Sequence, residues 1–158
     1  MALAPVTLDD KYALESGRVF LTGTQALVRL PMMQRRRDEA AGLNTACYIS
    51  GYRGSPLGLL DQQLWQARDF LEKHHIKFLP GVNEDLAATA ILGTQQLNMS
   101  AGARYDDVFS MGYAKGPGVD RSGDILRPGN LFGTSPNGGV LLLAGDDPTC
   151  KSSTTAHQ

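Results

Sequence analysis

The run Val140-Leu141-Leu142-Leu143-Ala144 constrains the fold more than any other stretch of the chain. It is short, continuous and apolar, with Gly138-Gly139 before it and Gly145-Asp146-Asp147-Pro148 after it. A strand with one solvated face would alternate apolar and polar residues. A strand without alternation is what a parallel sheet covered on both faces contains. Such a strand needs parallel neighbours joined by long crossovers. The chain supplies them. Residues 45–50, 76–79 and 106–111 read as strands, and Arg18-Val19-Phe20-Leu21 is a further short apolar run. Helical patterns alternate with these runs. One opens at Thr22-Gly23-Thr24 and heads towards Ala41, a second carries Leu60, Leu64, Ala67, Phe70 and Leu71 at the 3.6 period, and a third covers residues 86–97. The expected architecture is α/β, a three-layer parallel sheet with helices on both faces.

Details within this order carry their own expectations. Residues 1–16 read as an extended or poorly ordered arm, and residues 17–158 as one domain, truncated at its C-terminus because a strand and loop of this kind normally feed another element. Pro31 predicts a kink or a later helix start. Arg35-Arg36-Arg37 reads as a solvated helix face, and Gly42 as the helix stop. Residues 112–137, rich in Gly and Pro, read as a functional loop or one that conceals a short helix buried through Ile125-Leu126 and Leu131-Phe132.

Charge and cysteine usage narrow the function classes. Sixteen acids against fifteen Lys and Arg leave a net charge of −1, which favours neither nucleic acid nor an anionic membrane. No apolar run is long enough to span a bilayer and no secretory leader opens the chain, so a cytoplasmic protein is expected. Cys47 and Cys150 stand alone, and His74, His75 and His157 make no metal pattern, so no metal site is expected within the chain.

Three Gly-rich segments, 51–58, 112–118 and 145–153, each follow a strand, and so belong at the carboxyl edge of the sheet where α/β proteins bind ligands. Residues 81–90 belong there too. Ile76-Lys77-Phe78-Leu79-Pro80 hands over to a helix through Gly81-Val82-Asn83-Glu84. Asn83 suits an N-cap, and a carboxylate at Glu84 suits the free N–H groups of the first turn. Familiar motifs do not fit. Gly51, Gly54, Gly116 and Gly118 do not complete a dinucleotide fingerprint. The stretch from Gly145 to Ser152 lacks the second P-loop glycine, and Ser55 does not sit in a nucleophile elbow. Lys115 and Arg121 read as surface charge or as anion-binding groups.

Four segments taken in order resemble 2-oxoacid:ferredoxin oxidoreductases, in particular the N-terminal part of the fused indolepyruvate enzymes. They are Gly51-Tyr52-Arg53-Gly54-Ser55-Pro56-Leu57-Gly58, Asn83-Glu84-Asp85-Leu86-Ala87, Gly112-Tyr113-Ala114-Lys115-Gly116-Pro117-Gly118-Val119-Asp120, and the run from Gly138 to Thr154 with its Asp146-Asp147-Pro148 and Ser152-Ser153. The resemblance covers nearly all of the chain after the arm. It implies a pyrimidine-type thiamine diphosphate-binding domain. Glu84 would hydrogen-bond the cofactor's aminopyrimidine ring and favour the tautomer that removes the C2 proton. Gly54, Ser55, Pro56, Lys115 and Gly116 would lie against the cofactor, and Ser55 and Arg53 against the substrate. The implied reaction oxidatively decarboxylates an aryl 2-oxoacid to an acyl-coenzyme A and passes the electrons through an iron–sulfur cluster to ferredoxin. The family's Mg2+–diphosphate signature and its cluster cysteines are missing from this chain. The resemblance therefore implies that the rest of the polypeptide or a second subunit supplies Mg2+, the diphosphate half and the cluster, that a dimer forms, and that this part alone is inactive. Another thiamine-dependent decarboxylase or synthase, and a non-catalytic scaffold of the same fold, remain as alternatives.

Overall fold

The structure is a computed structural model that describes residues 5–54, 57–99, 101–146 and 149. Among the described residues, eleven helices and strands follow one another in the order α1 (Asp10–Ala13), α2 (Gly23–Ala40), β1 (Thr45–Gly51), α3 (Gly58–Gln66), α4 (Arg68–Lys73), β2 (Ile76–Phe78), α5 (Glu84–Thr94), β3 (Asp107–Lys115), α6 (Gly116–Arg121), α7 (Gly123–Phe132) and β4 (Gly139–Gly145), with a 3-10 turn at Leu97–Met99. The four strands form one sheet in the order β2-β1-β3-β4, every pair parallel. All four carboxyl ends therefore lie on one edge.

Strand alternation divides the molecule into layers. Cys47 and Ile49 of β1, Ile76 and Phe78 of β2, and Met111 and Tyr113 of β3 share a core with Tyr12, Val28, Met32, Leu60, Leu64, Ala67 and Leu71 from α1 to α4. Each large aliphatic side chain buried there contributes on the order of 1.5–3 kcal/mol by transfer from water. The opposite face carries α5, whose Ala87 and Ile91 are buried. Gly112 lets α5 and β4 close on that face, because a Cβ there would stand 3.0 Å from Ile91 Cδ1 and 3.1 Å from Leu142 Cδ1. Gln95, 4% exposed, donates to Val108 O at 3.1 Å and accepts from Gly139 N at 2.7 Å, which ties α5 to the starts of β3 and β4.

Several expectations are corrected. Residues 18–21 form no strand, and Phe20 is exposed. Three residues' worth of apolar pattern had no neighbouring strand to pair with. The arm is not wholly extended. Tyr12 of α1 enters the core against the Phe70 ring at 5.6 Å. The arginine run explains that docking. Arg36 donates to Tyr12 O and Leu14 O at 3.3 and 3.2 Å, and Arg29 donates to Lys11 O and Leu14 O. Arg35 is buried and donates to Leu43 O and Asn44 Oδ1, so only Arg37 of the three is solvated. Helix α2 starts with a capping box between Thr22 and Gln25 and continues through Pro31, which is buried.

Strand β3 runs four residues further than its sequence pattern suggests, so Gly112-Tyr113-Ala114-Lys115 are strand and not loop. The long Gly- and Pro-rich region contains two helices, α6 and α7, with Leu131 and Phe132 left exposed. Strand β4 is an edge strand of the described sheet. Val140, Leu141 and Leu142 are 43, 44 and 38% exposed, against the expectation of a strand covered on both faces. Among the described residues no helix is long and apolar enough to cross a membrane.

Candidate functional site

Asn83 takes extended backbone (φ −151°, ψ 177°), and its Oδ1 accepts from Leu86 N at 2.8 Å. That cap satisfies a free N–H and fixes where α5 begins. Glu84 is consequently the first helical residue. It stands beside the carboxyl end of β1, to which its own loop is tied by Gly81 N donating to Gly51 O at 2.9 Å. Its side chain lies against the backbone of Gly118 in α6. A Cβ at residue 118 would stand 2.6 Å from Glu84 Cγ and 2.7 Å from Oε1. Only glycine leaves that space. Asp85, the next residue, holds α6 from the other direction by accepting from Arg121 Nε at 2.7 Å. That hydrogen bond raises the Arg121 pKa, so Arg121 is engaged with a carboxylate and is not the free anion-binding group its loop position allowed.

Glu84 also borders a cavity of about 30 Å³ with Gly51, Ala87, Gly112, Tyr113 and Gly118 among its walls. The space is about that of one water molecule. Small side chains on α5, β1, β3 and α6 produce it.

The other residues expected at the site lie on the α3 side of the same edge. Lys115 closes β3, on the register face that carries Met111 and Tyr113, and its stem runs along Gly54, with Lys115 Cδ 3.5 Å from where a Gly54 Cβ would be. Gly116 is buried and opens α6. Arg53 is exposed. Leu57, just before α3, reaches the end of β4, where a Cβ on Gly145 would meet Leu57 Cγ at 2.5 Å. The strand order reverses between β1 and β3, so Gly54 and Lys115 lie beside the switch point of the sheet. Ser55 and Pro56 lie outside the described residues, as do Cys150, Lys151 and His157. The structure thus brings Gly54, Lys115 and Gly116 to one edge with Glu84, but Lys115 with Gly54 and Glu84 with Gly118 belong to opposite faces of that edge.

Two further groups escaped sequence reading. Asp61 of α3 and Tyr113 of β3 are both buried. The signal for Asp61 was its place between Leu60 and Leu64 on an apolar helix face; a polar residue there had to face the core.

Cys47 is buried in β1, and burial pushes its thiol pKa well up, which leaves a small core residue with little thiolate character. Among the described residues no group of three or more His, Cys, Asp or Glu side chains is arranged to hold a metal ion. Comparisons with protein-family models, with curated proteins and with solved structures each find no match to this chain.

Proposed function

We propose that this chain is the pyrimidine-type half of a thiamine diphosphate site in an enzyme that oxidatively decarboxylates an aryl 2-oxoacid, with ferredoxin as electron acceptor and coenzyme A as acyl acceptor. The observation that carries the reading is the placement of Glu84. It is a half-buried carboxylate at the start of a helix, on the ligand-binding edge of a parallel sheet, seated on a glycine that leaves it room.

The residues present fit such a cofactor. Glu84 has a defined backbone position at the start of α5, which would suit a hydrogen bond to one nitrogen of a flat ring. Gly54 and Gly116 let backbone approach a ligand closely, and Lys115 brings a positive charge to the same edge. Bound there, thiamine diphosphate supplies the electron sink for decarboxylation. The work of this chain is to hold the ring and keep a carboxylate at its nitrogen. Mg2+, the diphosphate and an iron–sulfur cluster would be held by the rest of the polypeptide or by a second subunit.

Calorimetric titration of the full-length protein with thiamine diphosphate and Mg2+ tests the reading. Saturable, Mg2+-dependent binding is expected. Absence of binding at millimolar cofactor would overturn it.

A further inference from the structure

We propose that the groove at the amino end of the sheet, on the edge opposite Glu84, binds a small organic anion between Lys77 and Arg104, with the ring of His75 as a third contact. The groove has a volume of about 540 Å³, and its lining comes mainly from β1, β2 and the segment leading into β3. Strand alternation turns Ala46, Tyr48 and Val108 to one face of the sheet, where Ala46 pairs with Val108 and Tyr48 with Lys77. The result is an apolar floor with a cation at its side. Arg104 lines the groove from the segment before β3. Lys77 and Arg104 are both exposed, and among the described residues neither is in an ion pair. Glu72, the carboxylate in the lining, is instead paired with Arg68 at 3.6 Å. Two cations beside an apolar floor, without a carboxylate of their own, suit an oxyanion carried on a flat apolar body.

His75 is the second observation. It follows the C-cap of α4, its N–H donates to Glu72 O at 3.0 Å, and its φ is 56°. Among the described residues it is the one residue other than glycine with a left-handed backbone. Glycine usually takes such a position, because it has no Cβ to strain. A histidine there costs stability and places a ring in the lining of the groove. That ring is held. Nδ1 lies 3.1 Å from Tyr105 Oη, and the two rings stand edge to face at 5.6 Å. With Tyr105 Oη donating to Nδ1, Nε2 carries the proton and can donate to an anion. Carboxylates and phosphates both match the donors of Arg104 and Lys77, so either can supply the charge. The site needs neither Glu84 nor the function proposed above.

Calorimetric titration of the full-length protein with phenyl phosphate, benzoate and benzyl alcohol tests the site. Saturable binding of at least one of the two anions is expected, the tighter one naming the oxyanion, with no binding of the neutral alcohol. Lys77→Gln and Arg104→Gln are each expected to weaken that binding on the order of tenfold, the scale of one charge-assisted hydrogen bond. His75→Gly is expected to weaken it as well, while its urea unfolding midpoint stays at or above that of wild type because the backbone strain is relieved. Absence of anion binding at millimolar probe would overturn the proposal. So would binding that survives both Lys77→Gln and Arg104→Gln, binding lost in Lys115→Gln, which would move the anion to the Glu84 edge, or equal uptake of benzyl alcohol. A lower midpoint with unchanged binding in His75→Gly would make the ring a structural clip and overturn the site as well.

Discussion

The two sides of the carboxyl edge are built differently. On the α5 side, backbone decides where the carboxylate goes. Asn83 caps the helix, Gly81 is tied to Gly51, and Gly118 gives Glu84 its seat. On the α3 side, Lys115 approaches Gly54 with the methylenes of a long side chain, at ordinary van der Waals distance, and Arg53 is exposed. Under the proposed function, the difference would separate two kinds of chemistry. A group that exchanges a proton with a ring nitrogen must be held to a fraction of an ångström, which short side chains on a capped helix can do. A group that only attracts negative charge tolerates a flexible stem.

Paired glycine substitutions should separate the two sides of the edge most sharply. Gly118→Ala puts a methyl group within 2.6 Å of Glu84 Cγ, whereas Gly54→Ala meets nothing closer than Lys115 Cδ at 3.5 Å. The first is expected to displace Glu84 and destabilise the fold by about 1–3 kcal/mol, as overpacking does. The second is expected to be close to neutral. Urea unfolding of the two variants, with 2-oxoacid-dependent turnover of the full-length protein, checks the contrast. Equal effects would mean that the α5 side is no more tightly built than the other.

A smaller effect is expected from the cap. Asn83→Ala removes the acceptor for Leu86 N and is expected to cost about 1 kcal/mol. Asn83→Asp keeps that acceptor and is expected to be nearly silent. Unfolding midpoints that fall together in the two variants would separate the cap from the seating of Glu84.

The parts of this architecture that were legible in the sequence rest on short-range pattern. Leu60 and Leu64 announced the buried face of α3, though the single helix expected through Leu71 is broken at Ala67 into α3 and α4, and Asn83 announced its cap, because both signals are local. Gly112 misled because a glycine in a strand looks like the start of a turn. It is there to let Ile91 and Leu142 close on the sheet, a contact between residues far apart in the chain. The docking of Tyr12 was hidden for the same reason, since the carbonyl that receives Arg36 lies 24 residues back in the chain; the buried Arg35 was hidden because its acceptors, Leu43 O and Asn44 Oδ1, lie in the turn after its own helix. Strand β4 shows the converse. Its apolar run correctly marked a strand, but composition alone does not say which neighbour covers it. At the site, Glu84 was legible through its place between strand and helix. The glycine that seats it was not, because Gly118 meets it only through the folding of α6 onto α5.

The most direct measurement is acceptor reduction by the full-length protein in the presence of an aryl 2-oxoacid, thiamine diphosphate, Mg2+ and coenzyme A, comparing wild type with Glu84→Gln. The substitution keeps the size of the side chain and removes its charge. Turnover should fall by about 10²-fold or more, the scale of a positioned acid–base group, with an unfolding midpoint like that of wild type. Near-normal turnover in Glu84→Gln would remove Glu84 from the mechanism and with it the central claim.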